Sequence, residues 1–308
     1  MTNKLVNRGI MALNNAGFQV VGFSRKPNSR VFKFKVTPDG PSQEELSKEN
    51  AESHLPVEVI SLMLSSSNSK KPENGKVSEQ RNPGEIFDLV RYLGASDWRH
   101  AIKLVHDAIQ AGNIGIFNVG DFIMVTFDVP NGSYKGVNFK KLKIQDTKVH
   151  IVDIINNEKT KGVVFNFDDI LFKSAINETD KNEDSFSASG LCEYLNDKFL
   201  SAIDISNYLH PSNDEKKITL LSAFELFGKS EYWDEITSFG DKEKPHQFDY
   251  FKSERNKVKD FEKETHWYWT SSPSSISAAR FCYVYTNGVA SSIDASAVGG
   301  CAPAFCVA

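Results

Sequence analysis

The chain has 308 residues, is 40% hydrophobic, 11% aromatic and 25% charged, and carries a formal net charge of −4. That is a globular composition with capacity for one large domain or two modest ones, and it gives no overall pull toward nucleic acid or an anionic membrane. Four cysteines are too few for a disulfide framework, no window is long and apolar enough to span a bilayer, and the first residues hold no apolar run of signal-peptide length, so reduced thiols and no standard secretory route are expected.

Residues 3–16 place Val6, Ile10 and Leu13 at helical spacing, with Gly17 positioned to end the helix. Two strand-like runs follow over 18–23 and 31–36, joined by the turn-forming SRKPNSR. In the second run Phe32, Phe34 and Val36 face one way and Lys33 and Lys35 the other, and Arg25, Lys26 and Arg30 add to the charge. A basic hairpin suits a nucleic-acid wing. A solvated hairpin in a small assembly or docking module is the preferred reading, since charge runs usually face water. Residues 38–54 are polar and acidic, with a helix expected over 43–50, and 57–64 are apolar. The next stretch, SSSNSKKPENGKVSEQRNPGE, has almost no apolar content and reads as a linker. The expected organisation is an N-terminal helix and hairpin module (1–64), a linker (65–84), a helical connector (85–112) and a main domain (113–308).

In the connector, residues 85–94 and 97–111 read as helices broken at Gly94-Ala95-Ser96, with Ser96 capping the second and Ile102, Leu104, Val105 and Ile109 on its apolar side. His100 and His106 are six apart and do not converge on a metal. From Ile114 the pattern changes to strands: GIFNVGDFIMVTFDV, VNFKKLKIQDTKVHIVDII and GVVFNFDDILF. A helix is expected over 187–200 with Leu191, Tyr194, Leu195 and Phe199 near one face, then a short helix or turn over 201–210. A short strand over 218–221 precedes a brief helix capped by Ser222 and ending at Gly228. The charged residues 251–264 are expected to form a helix or an exposed excursion, and strands return at 267–270, 280–285, 289–293 and 304–307. Short strands, a few helices and long connections define an α+β domain whose binding residues are expected on loops.

The last 39 residues, 270–308, differ in alphabet from the rest. All 28 Lys and all 20 Glu of the chain precede Thr270, and 270–308 also hold no Gln, Met, Leu, His or Trp. Phe281, Tyr283, Tyr285 and Phe305 exclude a low-complexity tail, so the stretch is expected to fold.

Seven pieces of the chain carry a family resemblance when read in order: GIFNVGDFIMVTF, Asn177-Glu178-Thr179, SGLCEYLNDKFL, ITLLSAFELFG, WYWTSSPSS, VYTNG and GGCAPAF. Together, over residues 113–308, they resemble a bacterial and phage domain family related to formylglycine-generating enzyme. The resemblance implies a C-type-lectin-like domain of mixed short strands and long loops, preceded here by the small α/β-hairpin module. Two positions depart from it: Cys192 and Ala302 stand where members often have Arg. These changes preserve a packing role and remove charge.

Members of this fold include variable proteins of diversity-generating retroelements, in which template adenines are rewritten so that chosen codons near the C-terminal end change. Rewritten AAC or AAT codons become any codon ending in a pyrimidine, which excludes Lys, Glu, Gln, Met and Trp, all missing from 270–308. The resemblance therefore implies a hypervariable, ligand-binding surface at about 274–298. Its free positions are Ser275, Ile276, Ser277, Arg280, Tyr283, Tyr285, Val289, Ser291, Ser292, Ile293, Ser296 and Val298, set between the constants Phe281-Cys282, Thr286-Asn287-Gly288 and 299–307. Strand alternation puts Arg280 and Val284 with Cys282 and the side chains of Phe281, Tyr283 and Tyr285 opposite, so one strand face does not hold all twelve.

A binding protein for a protein or cell-surface ligand, carried on a virion as a phage receptor-binding protein or kept in the cytoplasm, is the first expectation. Residues 1–112 would then attach or oligomerise it, with a homo-oligomer among the expected states. No catalysis, metal or cofactor is expected. A formylglycine-generating-like oxidase ranks second. Cys301 and Cys306 are five apart, however, which in a strand points them to opposite faces, and Pro303 intervenes. They read better as small buried hydrophobes. A nucleic-acid-binding regulator acting through the basic hairpin ranks third. Calcium binding lacks the expected oxygen cluster, with Asp168-Asp169 the one pair kept in view.

Overall fold

A computed structural model describes residues 19–25, 32–37 and 85–308, except 158, 159, 183, 184, 241 and 243. The chain divides into two units, Met1–Lys76 and Val77–Ala308. In the first, β1 (Gln19–Arg25) and β2 (Phe32–Thr37) pair antiparallel from Gln19↔Thr37 to Arg25↔Phe32, with a register shift between Val20 and Gly22. This is the hairpin expected from the alternation of Phe32, Phe34 and Val36. The helices expected over 3–16 and 43–50, the apolar piece 57–64 and the linker lie outside the described residues.

The second unit opens with α1 (Leu89–Tyr92) and α2 (Trp98–Gln110). The α2 N-cap is Asp97, whose carboxylate accepts from the His100 N–H; the expected Ser96 instead donates its hydroxyl to Asp97 Oδ2. Helical spacing buries Trp98, Ala101, Ile102, Val105 and Ile109 on one side of α2, while Leu104 lies half-buried on its flank. That face covers a sheet of order β3-β6-β7-β16-β9: Phe122–Val129, Leu142–Asn156, Lys161–Phe167, Ala304–Val307 and Leu209–His210, every pairing antiparallel. β3 alternates as its sequence dictates, burying Ile123, Val125, Phe127 and Val129. Residues 114–116 form a 3-10 turn where a strand was expected to begin. Between β3 and β6, β4 (Gly132–Tyr134) and β5 (Val137–Phe139) make a small hairpin.

A second sheet has the order β14-β13-β12-β15-β8: Ala290–Asp294, Arg280–Val284, Tyr268–Pro273, Gly299–Cys301 and Phe172–Ser174. The β12–β15 pairing is parallel and the rest are antiparallel. Both sheets contribute to the same two cores. One holds the α2 face with Phe127, Phe165, Phe199, Phe281, Trp269 and Phe305, and the other holds Val164, Phe251, Tyr268, Val284 and Cys306. Burying each such large apolar side chain contributes about 1.5–3 kcal/mol.

The helix expected over 187–200 starts at α3 (Gly190–Tyr194), passes through a π-helical turn at Leu195–Phe199 and ends as α4 (Leu200–Ile203), with Ser189 as N-cap. The strand expected over 218–221 is only a bridge, Thr219↔Ala304. The helix after it, α5 (Ala223–Phe227), carries a full capping box between Ser222 and Glu225. Residues 251–264 are neither helix nor simple excursion. After two 3-10 turns they form the hairpin of β10 (Lys259–Phe261) and β11 (Glu264–His266), and Phe251, Lys257 and Lys259 are buried. Lys259 donates from Nζ to the carbonyls of Phe167 and Asp168, and burial lowers its pKa to about 8. The second unit is thus α+β, and among the described residues no helix is long and apolar enough to cross a membrane.

Candidate functional site

The segment 270–298 is built as a bulged strand, a loop, a hairpin and a second loop. β12 pairs with β13 at Tyr268↔Val284 and Trp269↔Tyr283 and, after a register shift, at Pro273↔Phe281. The Thr270 hydroxyl, inside the shift, donates to the Cys282 carbonyl at 2.9 Å. The loop 274–279 is held from elsewhere in the chain: Asn182 donates from Nδ2 to the carbonyls of Ser277 and Arg280 at 2.7 and 2.6 Å. The β13–β14 hairpin turns at Gly288, where φ is +82°, with Gly288 N–H on Tyr285 O and Tyr285 N–H on Val289 O. Only a residue free to adopt positive φ closes this turn without strain.

Beyond β14 the chain is pinned by the segment 176–180. Ile176 N–H donates to Ala295 O, and the Asp180 carboxylate accepts from the Ser296 N–H. β15 then passes directly under two tryptophans. A Cβ at Gly299 would lie 2.2 Å from Trp267 Cζ3, and one at Gly300 would lie 2.8 Å from the Trp267 carbonyl, so neither position admits a side chain.

Burial divides the segment. None of Ser275, Ile276, Ser277, Arg280, Tyr283, Tyr285, Val289, Ser291, Ser292, Ile293, Ser296 and Val298 is buried. Of the expected constants, Phe281, Cys282, Gly288 and all of 299–307 are buried, as are Val284 and Ala295, but Thr286 is half-buried and Asn287 is exposed. The twelve positions do not share one face. Tyr283, Ser291 and Ile293 lie on the Phe281 side of the sheet, where Tyr283 meets Trp267 edge-on at 5.0 Å and Tyr285 at 6.2 Å. Arg280 and Ser292 lie on the Cys282 side, where Arg280 Nε donates to Asp294 Oδ1 at 2.9 Å. Both faces border the same open edge, because β14 is the last strand of its sheet. Ser296 and Val298 lie apart, lining a groove of about 910 Å³ with Phe172, Tyr194 and Phe261.

Residues 205–308 match the family described as a domain of unknown function, DUF6273. No curated protein and no solved structure matches the chain. The matched span holds all twelve positions and four of the five strands of the second sheet.

Tyr232 and Trp233 were not singled out from the sequence, yet they belong to this surface. Tyr232 is 54% exposed, and its carbonyl accepts from the Ser275 N–H; the Ser275 hydroxyl donates to Glu231 O. The two rings line a cavity of about 230 Å³ with Ile276, Cys282, Ala290, Ser291 and Ser292. Trp233 is fixed by its Nε1–H on Gly228 O. The end of their loop is fixed by Glu225, which accepts from the N–H groups of Ser222 and Phe239 and whose pKa burial raises to about 7. Adjacent aromatics inside the charged run KSEYWDEI are the sequence signal for this wall.

The surface is suited to binding by contact. Ile276, Val298, Tyr232, Val289 and Tyr285 are among the exposed large hydrophobics. Tyr and small residues offer contact area at low entropic cost. The thiols are poorly suited to nucleophilic chemistry: burial pushes Cys282 and Cys306 up to about 12 and also raises Cys301. Cys301 and Cys306 face different cores. Among the described residues no group of three His, Cys, Asp or Glu side chains is arranged to hold a metal; Asp168 instead sits 3.4 Å from His150 Nε2.

Proposed function

We propose that this chain is a ligand-binding protein that displays a hypervariable C-terminal surface on a C-type-lectin-like scaffold, diversified by a retroelement and used to bind a protein or cell-surface ligand, as a phage or host-encoded receptor-binding protein does. The observation that carries the reading is the burial split over 275–307. The twelve positions that the resemblance and the alphabet mark as free all reach solvent, while of the constants between them Phe281, Cys282, Gly288 and 299–307 are buried and Thr286 and Asn287 are not. Exposed positions tolerate substitution where buried ones do not, because surface changes usually stay within about 0.5 kcal/mol of neutral. The aromatic wall of Trp267, Tyr283 and Tyr285 further supports the reading, since rigid rings provide contact area at little entropic cost.

Sequencing the gene in sibling strains tests it. Substitutions concentrated at the twelve positions, in codons ending in a pyrimidine, are expected, with a reverse transcriptase and a near-copy of the 3′ segment nearby. Changes scattered evenly along the chain, or mostly synonymous, would remove the case for diversification.

A further inference from the structure

The outer edge of β14 and the cavity beside it belong together. β13 and β14 exchange backbone hydrogen bonds in alternating pairs, with Tyr285 N–H on Val289 O at one end and Ala295 N–H on Ala279 O at the other. In this register the backbone groups of Ser291 and Ile293 point inward to β13, while those of Ala290 and Ser292 point outward. Among the described residues no other strand pairs with that edge, and no backbone group bonds those of Ala290 and Ser292 from outside.

The Ser292 side chain shares the Cys282 face, and on that face the cavity of about 230 Å³ opens against the edge itself. Cys282, Ala290, Ile276, Trp233 and Tyr232 give it an apolar side, and Ser291 and Ser292 give it a polar rim at the strand edge. A strand added beside β14 would place the residue opposite Ser292 on the same face, with its side chain over this cavity. Glu231 and Asp234, which flank the two aromatics in the chain, are exposed and have no ion-pair partner among the described residues; the nearby Glu235 and Asp294 are matched by Lys229 and Arg280.

We infer that β14 is a strand-addition site for an extended peptide segment of a protein partner. The segment would form a sixth strand on the outward groups of Ala290 and Ser292. It would seat one aromatic or large aliphatic side chain in the Tyr232–Trp233 cavity and carry Lys or Arg close by to meet Glu231 and Asp234. The inference rests on the reading that the C-terminal surface binds a protein ligand, and it names the mode. Backbone pairing at the edge is indifferent to which side chains occupy 291–293, so affinity could persist while those residues change.

The test is selection of short random linear peptides from a display library against the full chain, followed by measured affinities of synthetic copies. Enriched peptides should share one large apolar residue with a neighbouring base. Backbone N-methylation at alternate positions that face β14 should weaken binding about tenfold, the loss of one well-made hydrogen bond, while methylation one residue along should not. Ser292→Pro deletes the outward N–H, a change that edge strands accept where that group faces solvent, and should weaken the same peptides to a similar degree. Because a proline variant can fail to fold, the methylated peptides decide the matter on the unaltered protein.

No enrichment, or binding insensitive to methylation on either register, overturns the strand-addition site. Peptides lost with Tyr283→Ala or Tyr285→Ala but bound normally by a folded Ser292→Pro variant would also overturn it while leaving a binding surface in place. Diversification itself fails separately, on the gene sequences.

Discussion

The two five-stranded sheets draw on the same cores but hold themselves together differently. In the first, β3, β6 and β7 run for 8, 15 and 7 residues; β3 alternates apolar and polar side chains, which specifies its register, and β7 is buried along nearly its whole length. In the second, strands run for three to six residues and are rich in Ser, Ala and Gly. Their positions depend on distant anchors: Asn182 on the 274–280 loop, Trp269 Nε1–H on Ser174 O, and Asp180 on Ser296. A strand specified by its own pattern resists change along its whole length. A strand held by its backbone and by a few buried neighbours leaves its outward side chains free.

That contrast is broken or sharpened by substitution. Phe165→Ala in the first sheet and Phe281→Ala in the second should both cost about 3–5 kcal/mol in denaturant unfolding, since each ring is fully buried. A small loss for Phe281→Ala would mean that the second sheet has no fixed core of its own. Gly299→Ala should cost about 1–3 kcal/mol through overpacking against Trp267. Tryptophan fluorescence would report the displaced ring, and an unchanged spectrum would contradict the close approach.

Glu225 provides a pH test. Its carboxyl is raised from 4.5 to about 7, so the folded state retains a proton that the unfolded chain releases. Its contribution to stability is complete below about pH 4.5 and is lost as pH rises through about 7. Glu225→Gln should flatten that part of the stability profile and should itself cost about 1–3 kcal/mol, by leaving one backbone N–H poorly matched. The smallest effects belong to the exposed positions. Arg280→Ala should cost under about 1 kcal/mol, and less at high salt, because the Arg280–Asp294 pair is solvent-exposed. Val298→Ser should leave the melting profile essentially unmoved.

The sequence was most legible where local pattern decides structure. α2, β3 and the β13–β14 hairpin follow from spacing and from the Thr286-Asn287-Gly288 turn, and Ser222 announces α5. It was least legible where distant contacts decide. Ser96 and Asp97 are adjacent capping residues of similar preference, and local pattern does not choose between them. β15 is Gly-Gly-Cys, with no strand propensity, and exists because it fits beneath Trp267 and beside β8. The β10–β11 hairpin looked exposed because it is charged, yet Lys259 is satisfied by two carbonyls from the far side of the chain. In the candidate site, the twelve positions came from the family resemblance and the alphabet, whereas Tyr232 and Trp233 meet Ile276 and Ser292 through a fold contact spanning some forty residues.

After β15 the chain crosses from the second sheet into the first, with Cys301 in one and Ala304 in the other. Asn166 donates from Nδ2 to both intervening carbonyls, Ala302 and Pro303, and β16 then fills the place between β7 and β9. The first sheet therefore takes an interior strand from residues 304–307, which follow the whole of 274–298 in the chain. The first sheet is thus complete only when the chain has passed through the second, so the two sheets are tied by covalent connection as well as by shared cores.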